Sequence, residues 1–418
     1  MIIERPTYMK QLIAALGTDQ VKVVTGIRRC GKSYLLFSLF KQYLLDQGIP
    51  GSNIFEMAFD KFSNRQYRDP NVFYPFVSEW LSATNGKRYI LLDEVQLLDD
   101  FAEVLIDLIA NEGVDVFVTG SNAKLLSHDV ITEFRGRGQE TAMAPLSFSE
   151  FMNAYPGDKR DGYIEYATYG GLPGVLQRET PEAKTDYLNS LYDELYIRDI
   201  IERNGIKSQS NLEELIDVLS SAIGSLTNAS KLSATFKSAK NAQFAPETIE
   251  RYIAALEDAF LIRRAKRYDV KGRRYIGTPF KFYFTDLGLR NARMNFRQFE
   301  ETHIMENVIY NELVGRGLGV DVGVVPVSRK DADGKSHRVQ LEIDFVCNKG
   351  SKRYYVQSAF ALPTPEKQEQ EQRSLLRIDD AFKKIIVTKD GIGPHYNENG
   401  ILMMNVYDFL LNPESLDF

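Results

Sequence analysis

The stretch Gly26-Ile27-Arg28-Arg29-Cys30-Gly31-Lys32-Ser33 sets two glycines five residues apart and ends on a lysine and a hydroxyl. That spacing suits a chain that wraps around phosphate. Glycines let the main chain approach the oxygens closely, and the amides from Ile27 to Tyr34 and the helix dipole that follows face the anion. In the G-x-x-x-x-G-K-S/T pattern, Lys32 reaches the outer phosphates and Ser33 ligates Mg²⁺.

Leu91-Leu92-Asp93-Glu94 ends an apolar run with two carboxylates. Asp93 would hold the metal through water and Glu94 would polarise an attacking water. Alone, the same residues also read as a helix N-cap with an acidic first turn. The order of the two motifs favours a nucleotide site. Thr119-Gly120-Ser121-Asn122 offers Ser121 or Asn122 as a polar sensor at a strand tip; a simple turn fits equally. In Phe134-Arg135-Gly136-Arg137-Gly138, Arg135 or Arg137 could stabilise a transferring phosphoryl group, in cis or from a neighbouring subunit. The other reading is exposed loop arginines, and Arg28 and Arg29 are ambiguous in the same way.

The elements that must position these residues follow from periodicity. Lys22–Thr25, Tyr89–Leu92 and Asp115–Thr119 are short β-branched runs next to polar switches, as expected of buried parallel strands, with a helix over Tyr34–Leu45. Near Pro145 the strand–helix rhythm stops and mostly helical patterns run to about Asn204. Helices are then expected over Leu212–Leu226, Lys231–Ser238 and Pro246–Phe260, followed by a basic hairpin framed by Leu261–Arg267 and Phe280–Phe284. A helix at His303–Val314 and strands at Val339–Cys347 and Arg353–Phe360 lead to a closing strand and helix, Gly400–Leu411.

Composition restricts the classes. A length of 418 residues fits two or three domains at ~100–200 residues each. A formal charge of −6 argues against a generally basic nucleic-acid coat, while local basic patches stay open. Two distant cysteines, Cys30 and Cys347, fit a reducing compartment. With no signal-peptide pattern and no run near the ~20 apolar residues of a membrane span, a cytoplasmic protein is expected.

The set GIRRCGKS, LLDEVQ, TGSNAKLL, FRGRG, PLSFSEF and YGGLP, in that order, resembles a group of prokaryotic AAA-superfamily ATP-binding proteins that carry a C-terminal domain of unknown function. The resemblance runs from Arg5 to about Leu411. It implies ATP and Mg²⁺ as cofactors, strengthens Gly26, Gly31, Lys32, Ser33, Asp93 and Glu94, and implies a finger role for Arg135 or Arg137. The group often has a small residue or valine where this chain has Cys30, which reads here as a small filler.

The middle segment resembles a winged helix. Arg263, Arg264, Lys271, Arg273 and Arg274, with Lys266, Arg267 and Lys281, oppose the single acid Asp269 between positions 263 and 281. They fit either contacts to double-stranded DNA or a solvated wing packed on another module, with a protein as partner. The last segment resembles a restriction-endonuclease-like fold: Glu306, Asp344 and Gln357 fall where acids hold metal, but Ala359 stands where a lysine would act. A degenerate site is expected, with an active ATP-regulated nuclease as the alternative. The full expectation is an α/β chain: a P-loop AAA-type parallel sheet (1–145), a helical extension (146–205), a winged-helix-like module (206–295) and a nuclease-like α/β domain (296–418). Its expected function is slow ATP hydrolysis driving a switch, acting on nucleic acid or on a protein.

Overall fold

In a computed structural model of the protein, residues 2–120, 134, 136–192, 197–240, 244–297, 300–330 and 336–418 are described. They form two compact units, one of residues 1–145 with 258–260, the other of residues 146–257 with 261–418.

The first unit is a five-stranded, wholly parallel sheet in the order β2-β3-β4-β1-β5. Its strands are β1 (Val21–Thr25), β2 (Ile54–Ala58), β3 (Arg88–Asp93), β4 (Val114–Gly120) and β5 (Gly138–Ala142). Every residue of β1 and β4 is buried, which explains their near-continuous β-branched composition. Helices α1 (Pro6–Ala14), α2 (residues 32–46), α3 (Pro70–Ala83) and α4 (Phe101–Ile109) accompany the sheet. The stretch Leu35–Phe40 of α2 is wound as a π-helix. The core gathers Val21, Val23, Ile90, Leu92, Val116 and Val118 from the strands with Phe73, Val77, Leu105 and Leu108 from α3 and α4.

The second unit opens with helices. Ser147 caps α5 (Phe148–Met152) in a reciprocal capping box: Glu150 N donates to its Oγ at 3.2 Å and Ser147 N donates to Glu150 Oε2 at 2.9 Å. The PLSFSEF motif therefore has a local structural meaning. There follow α6 (Lys159–Tyr169), α7 (Pro181–Ser190), α8 (Arg198–Asn204), α9 (Gln209–Ser221), α10 (Ala229–Lys240) and α11 (Pro246–Asp258). A mixed eight-stranded sheet completes the unit. It contains β6 (Ile262–Asp269), β7 (Arg274–Phe284), β8 (Gly319–Lys330), β9 (Ser336–Lys349), β10 (Lys352–Ala359), β11 (Lys383–Thr388), β12 (His395–Tyr396) and β13 (Leu402–Asn405). Its helices are α12 (Leu287–Arg293), α13 (Glu301–Gly315), α14 (Pro365–Gln372) and α15 (Val406–Leu411).

The expected boundary between 295 and 296 separates no sheets. β6 pairs in parallel with β8, and β7 lies at the edge of the same sheet, so the basic hairpin is part of it. YGGLP is also explained here. Gly171 N donates to buried Asp286 Oδ2 at 2.8 Å, and a Cβ on Gly170 would meet that carboxylate at 2.2 Å.

Candidate functional site

In a parallel sheet every strand ends on the same side, so the polar strand tips of the first unit collect there. β4 lies between β1 and β3, and the register pairs Val24 with Thr119 on one side and Leu92 with Val118 on the other. Thr119 therefore stands between the loop strand and Asp93.

The loop is concave because of its backbone. Gly26, Arg29 and Gly31 have φ of 143°, 65° and 102°, the left-handed half of conformational space that turns successive amides inward. Only glycine fits at 26, where a Cβ would meet Met143 O at 2.0 Å. Lys32 is buried, and its Nζ donates to Gly26 O (2.9 Å) and Ile27 O (3.1 Å). Two neutral acceptors hold the ammonium and leave its charge in place.

Ser33 Oγ lies 2.8 Å from Asp93 Oδ2 and 3.0 Å from Oδ1. Thr119 Oγ1 donates to Asp93 Oδ1 and accepts from Glu94 N at 3.1 Å. Burial pushes the Asp93 carboxyl above its ordinary value, against the pull of the Thr119 and Ser33 hydroxyls. A buried carboxylate beside a serine hydroxyl is the oxygen donor set that suits a hard dication. Glu94 has a left-handed backbone (φ 51°) and makes no side-chain cap to the turn Val95–Leu97, so the N-cap reading does not hold for it. Gln96 Nε2 donates to its Oε2.

Two contributors went unread in the sequence. Thr119 looked like a strand-end residue, and only the β1-β4-β3 order makes it a bridge. Arg5 is 2% exposed; its NH1 donates to Cys30 O at 3.1 Å, and its NH2 to Ala144 O and Pro145 O at 2.7 and 3.3 Å. One guanidinium thus ties the phosphate loop to the last residues of the first unit. No local pattern marks an arginine so far upstream.

Ser121, Asn122 and Arg135 lie outside the described residues. Arg137 is exposed, and its carbonyl accepts from Val21 N at 2.7 Å. It sits beside the first residue of β1, whereas the phosphate loop follows the last, roughly 15 Å away at ~3.3 Å per residue. The arrangement does not bring Arg137 to its own chain's loop. Arg28 is half-buried, Arg29 and Tyr34 are exposed and Cys30 is fully buried.

The comparisons with known proteins agree with this geometry. Residues 18–152 match an AAA domain and residues 160–300 a domain of unknown function. An uncharacterised protein of Haemophilus influenzae is 35% identical over 418 residues, covering 98% of this chain and 99% of that one. This chain is an AAA-domain protein of that family. An uncharacterised protein of Methanocaldococcus jannaschii is 24% identical over 411 residues, covering 93% of this chain and 85% of its own. Among solved structures, this AAA-domain protein is similar to Orc1 of Aeropyrum pernix in complex with DNA, at 14% identity and a TM-score of 0.31, over 71% of this chain and 93% of that one.

In the second unit the expected basic set divides. Arg264 is committed internally: it donates to Glu257 from Nε (3.3 Å) and NH2 (3.0 Å) and stacks on Phe280. Arg263 is half-buried, and buried Arg267 donates to Gln340. Lys271, Arg273 and Arg274 are exposed at the hairpin tip, with Arg274 Nε 3.8 Å from Asp269.

Glu306 on α13 and Asp344 on β9 do come together, around a cation that the sequence assigned to the hairpin, while Gln357 on β10 accepts from Asp344 N at 3.4 Å. Lys281 Nζ lies 2.8 Å from Glu306, 2.8 Å from Glu342 and 3.7 Å from Asp344. Tyr283 OH donates to Glu306 at 2.6 Å, Ser358 N to Asp344 at 2.8 Å, and Gln357 Nε2 to Glu371 at 3.1 Å. Burial raises Asp344 to about 8, with Glu306 adding to the effect. At Glu306 burial is the largest single effect and pushes upward, but Lys281, His303 and Tyr283 together outweigh it, and its carboxyl falls below the ordinary value. Among the described residues, no group of three or more His, Cys, Asp and Glu is disposed to hold a metal ion. No described helix is long and apolar enough to cross a membrane.

Proposed function

We propose that this AAA-domain protein binds ATP with Mg²⁺ in the Gly26–Ser33 loop, hydrolyses it slowly, and uses the nucleotide state as a switch. The observation that carries this reading is the meeting of Ser33 and Asp93 beside the buried Lys32 ammonium. Lys32 would hold the outer phosphates, and Ser33 and Asp93 the metal, which supplies charge neutralisation at the phosphates when bound. Glu94 takes the general-base role, and Thr119 ties the Asp93 carboxylate to the Glu94 main chain. An arginine contributed by a second copy, Arg135 or Arg137, fits the remaining role. Ser121 or Asn122 would take the sensor role.

The switch reading is supported by Arg5. A shift of the Cys30 carbonyl on nucleotide binding would be felt at Ala144 and Pro145, where the first unit ends. For the second unit we favour a docking platform over a nuclease. Lys281 already supplies the positive charge that a metal would bring to Glu306, Glu342 and Asp344.

The test is steady-state ATP turnover by the full chain and its Glu94→Gln variant, with and without added DNA. Turnover that falls on this substitution while ATP still binds supports the reading. Turnover unchanged by it would contradict the assigned base.

A further inference from the structure

The second unit also holds a feature used by neither site. A cleft of about 740 Å³ opens between the tip of the β6–β7 hairpin, the turn from β9 to β10 and the loop 378–382. Tyr268, Lys271, Arg273, Lys352, Arg353 and Phe382 line it.

Arg353 is the organising residue. Its guanidinium carbon stands 5.4 Å from the ring centroids of both Tyr268 and Phe382, and its Nε donates to Asn348 Oδ1 at 2.8 Å. A guanidinium held near two rings and hydrogen-bonded to Asn348, Tyr355 and Tyr268 keeps one orientation. Its planar fork is then presented to phosphate oxygens without first having to be ordered. Around it, Lys271 and Arg273 project from the exposed hairpin tip and Lys352 from β10. Arg273 holds a left-handed backbone (φ 53°), a costly choice for a residue other than glycine. Asp269 Oδ1 closes that turn by accepting from Gly272 N at 2.9 Å.

The carboxylates of the cleft do not cancel this field. Asp379 and Asp380 also line it, two acids against four cations. Asp380 is already engaged, accepting from Tyr355 OH at 2.6 Å and from Phe382 N at 3.2 Å. Lys352 pairs with Asp417 at 2.8 Å, but both side chains are more than half exposed or nearly so, and such a pair exchanges readily for a better anion.

We propose that this cleft binds the phosphodiester backbone of a nucleic acid, with Arg353 as the fixed contact and Lys271, Arg273 and Lys352 as the adaptable ones. The proposal narrows the five hairpin candidates to two and adds two cations from β10. It rests on the switch reading only for what such binding would regulate; the binding itself stands apart from it.

The experiment uses the full chain carrying Lys32→Ala, so that the phosphate loop does not contribute. Anisotropy of a short labelled DNA, single-stranded and duplex, is followed across salt concentrations. Three to four phosphate contacts predict a log–log salt slope of roughly −2 to −3.6 at ~0.7–0.9 per contact. Arg273→Glu combined with Lys352→Glu, both exposed, should weaken binding at least ~10-fold and lower the slope by about two contacts. Arg353→Lys keeps the charge but loses the clamped fork, and should also weaken binding. No binding of either DNA at low salt, or an affinity and slope unchanged in the double variant, would overturn the proposal. So would displacement of the DNA by inorganic pyrophosphate at equal phosphate concentration, which would mark a site for small anions. ATP binding to the chain with Lys32 intact is titrated separately: if it fails there while DNA binds as expected, the switch reading falls and the cleft stands.

Discussion

Ser33 Oγ and Asp93 Oδ2 lie 2.8 Å apart, although sixty residues separate them in the chain. A hydroxyl at the start of a helix and a carboxylate at the end of β3 meet because β1, β4 and β3 are neighbours that all end on one side. Thr119 on the middle strand joins Asp93 to the Glu94 amide.

Asp93 is buried with neutral partners, and its carboxyl is raised by that burial. Asp93→Asn should therefore leave the protein without nucleotide as stable as before or more so, because a costly buried charge is removed. The same change should abolish the Mg²⁺-dependent rise in melting temperature on adding ATP. Thermal melts of both proteins, with and without Mg·ATP, check this; a variant that still gains stability from Mg·ATP refutes it.

Arg5→Ala removes three hydrogen bonds that anchor the loop to residues 144 and 145. The expected result is ATP affinity weakened about tenfold, equivalent to ~1.4 kcal/mol, through a loosened loop. Because the arginine is buried, its loss also destabilises the first unit. Isothermal titration below the melting transition separates the two effects.

Lys281→Met would leave Glu306 charged and buried without its counter-ion, at a cost of about 3–5 kcal/mol. Adding Glu306→Gln should recover much of that loss. Chemical denaturation of both variants is the check; a single variant as stable as wild type would show that the lysine is not committed to this cluster.

The fold was legible wherever a strand is buried on both faces. β1, β3 and β4 are near-continuous apolar runs, broken only by Lys22 in β1, Asp115 in β4 and the polar strand ends, and they stand out at once. β5 does not: Gly138–Ala142 is an edge strand with one buried residue, and its composition carries no strand signal. The loop lysine, serine and acidic pair were readable because their spacing is local. Thr119, Arg5 and Lys281 were not, since each acquires its role from strand order or from a contact far along the chain. Lys281 in particular read as one more cation of a basic hairpin, and the sheet turns it inward.

Asp344 titrates at about 8 in the folded chain, against an ordinary value of 3.8. Between those values the folded state holds a proton that the unfolded chain has released, so this group's contribution to stability falls as pH rises from about 4 to about 8. Asp344→Asn should flatten that part of the profile and leave the variant the more stable of the two near pH 8. Urea midpoints measured across this range give the answer, and parallel profiles for wild type and variant would contradict it.

The central claim is that the Gly26–Ser33 loop grips a triphosphate through Lys32. The most direct measurement is the affinity of Mg·ATP for the intact protein and for Lys32→Ala. The account predicts binding by the wild type and a loss of at least about a hundredfold in the variant, as expected when a buried charge-assisted contact of ~3 kcal/mol is removed. Equal affinity in the two proteins, or no binding to either, would contradict it.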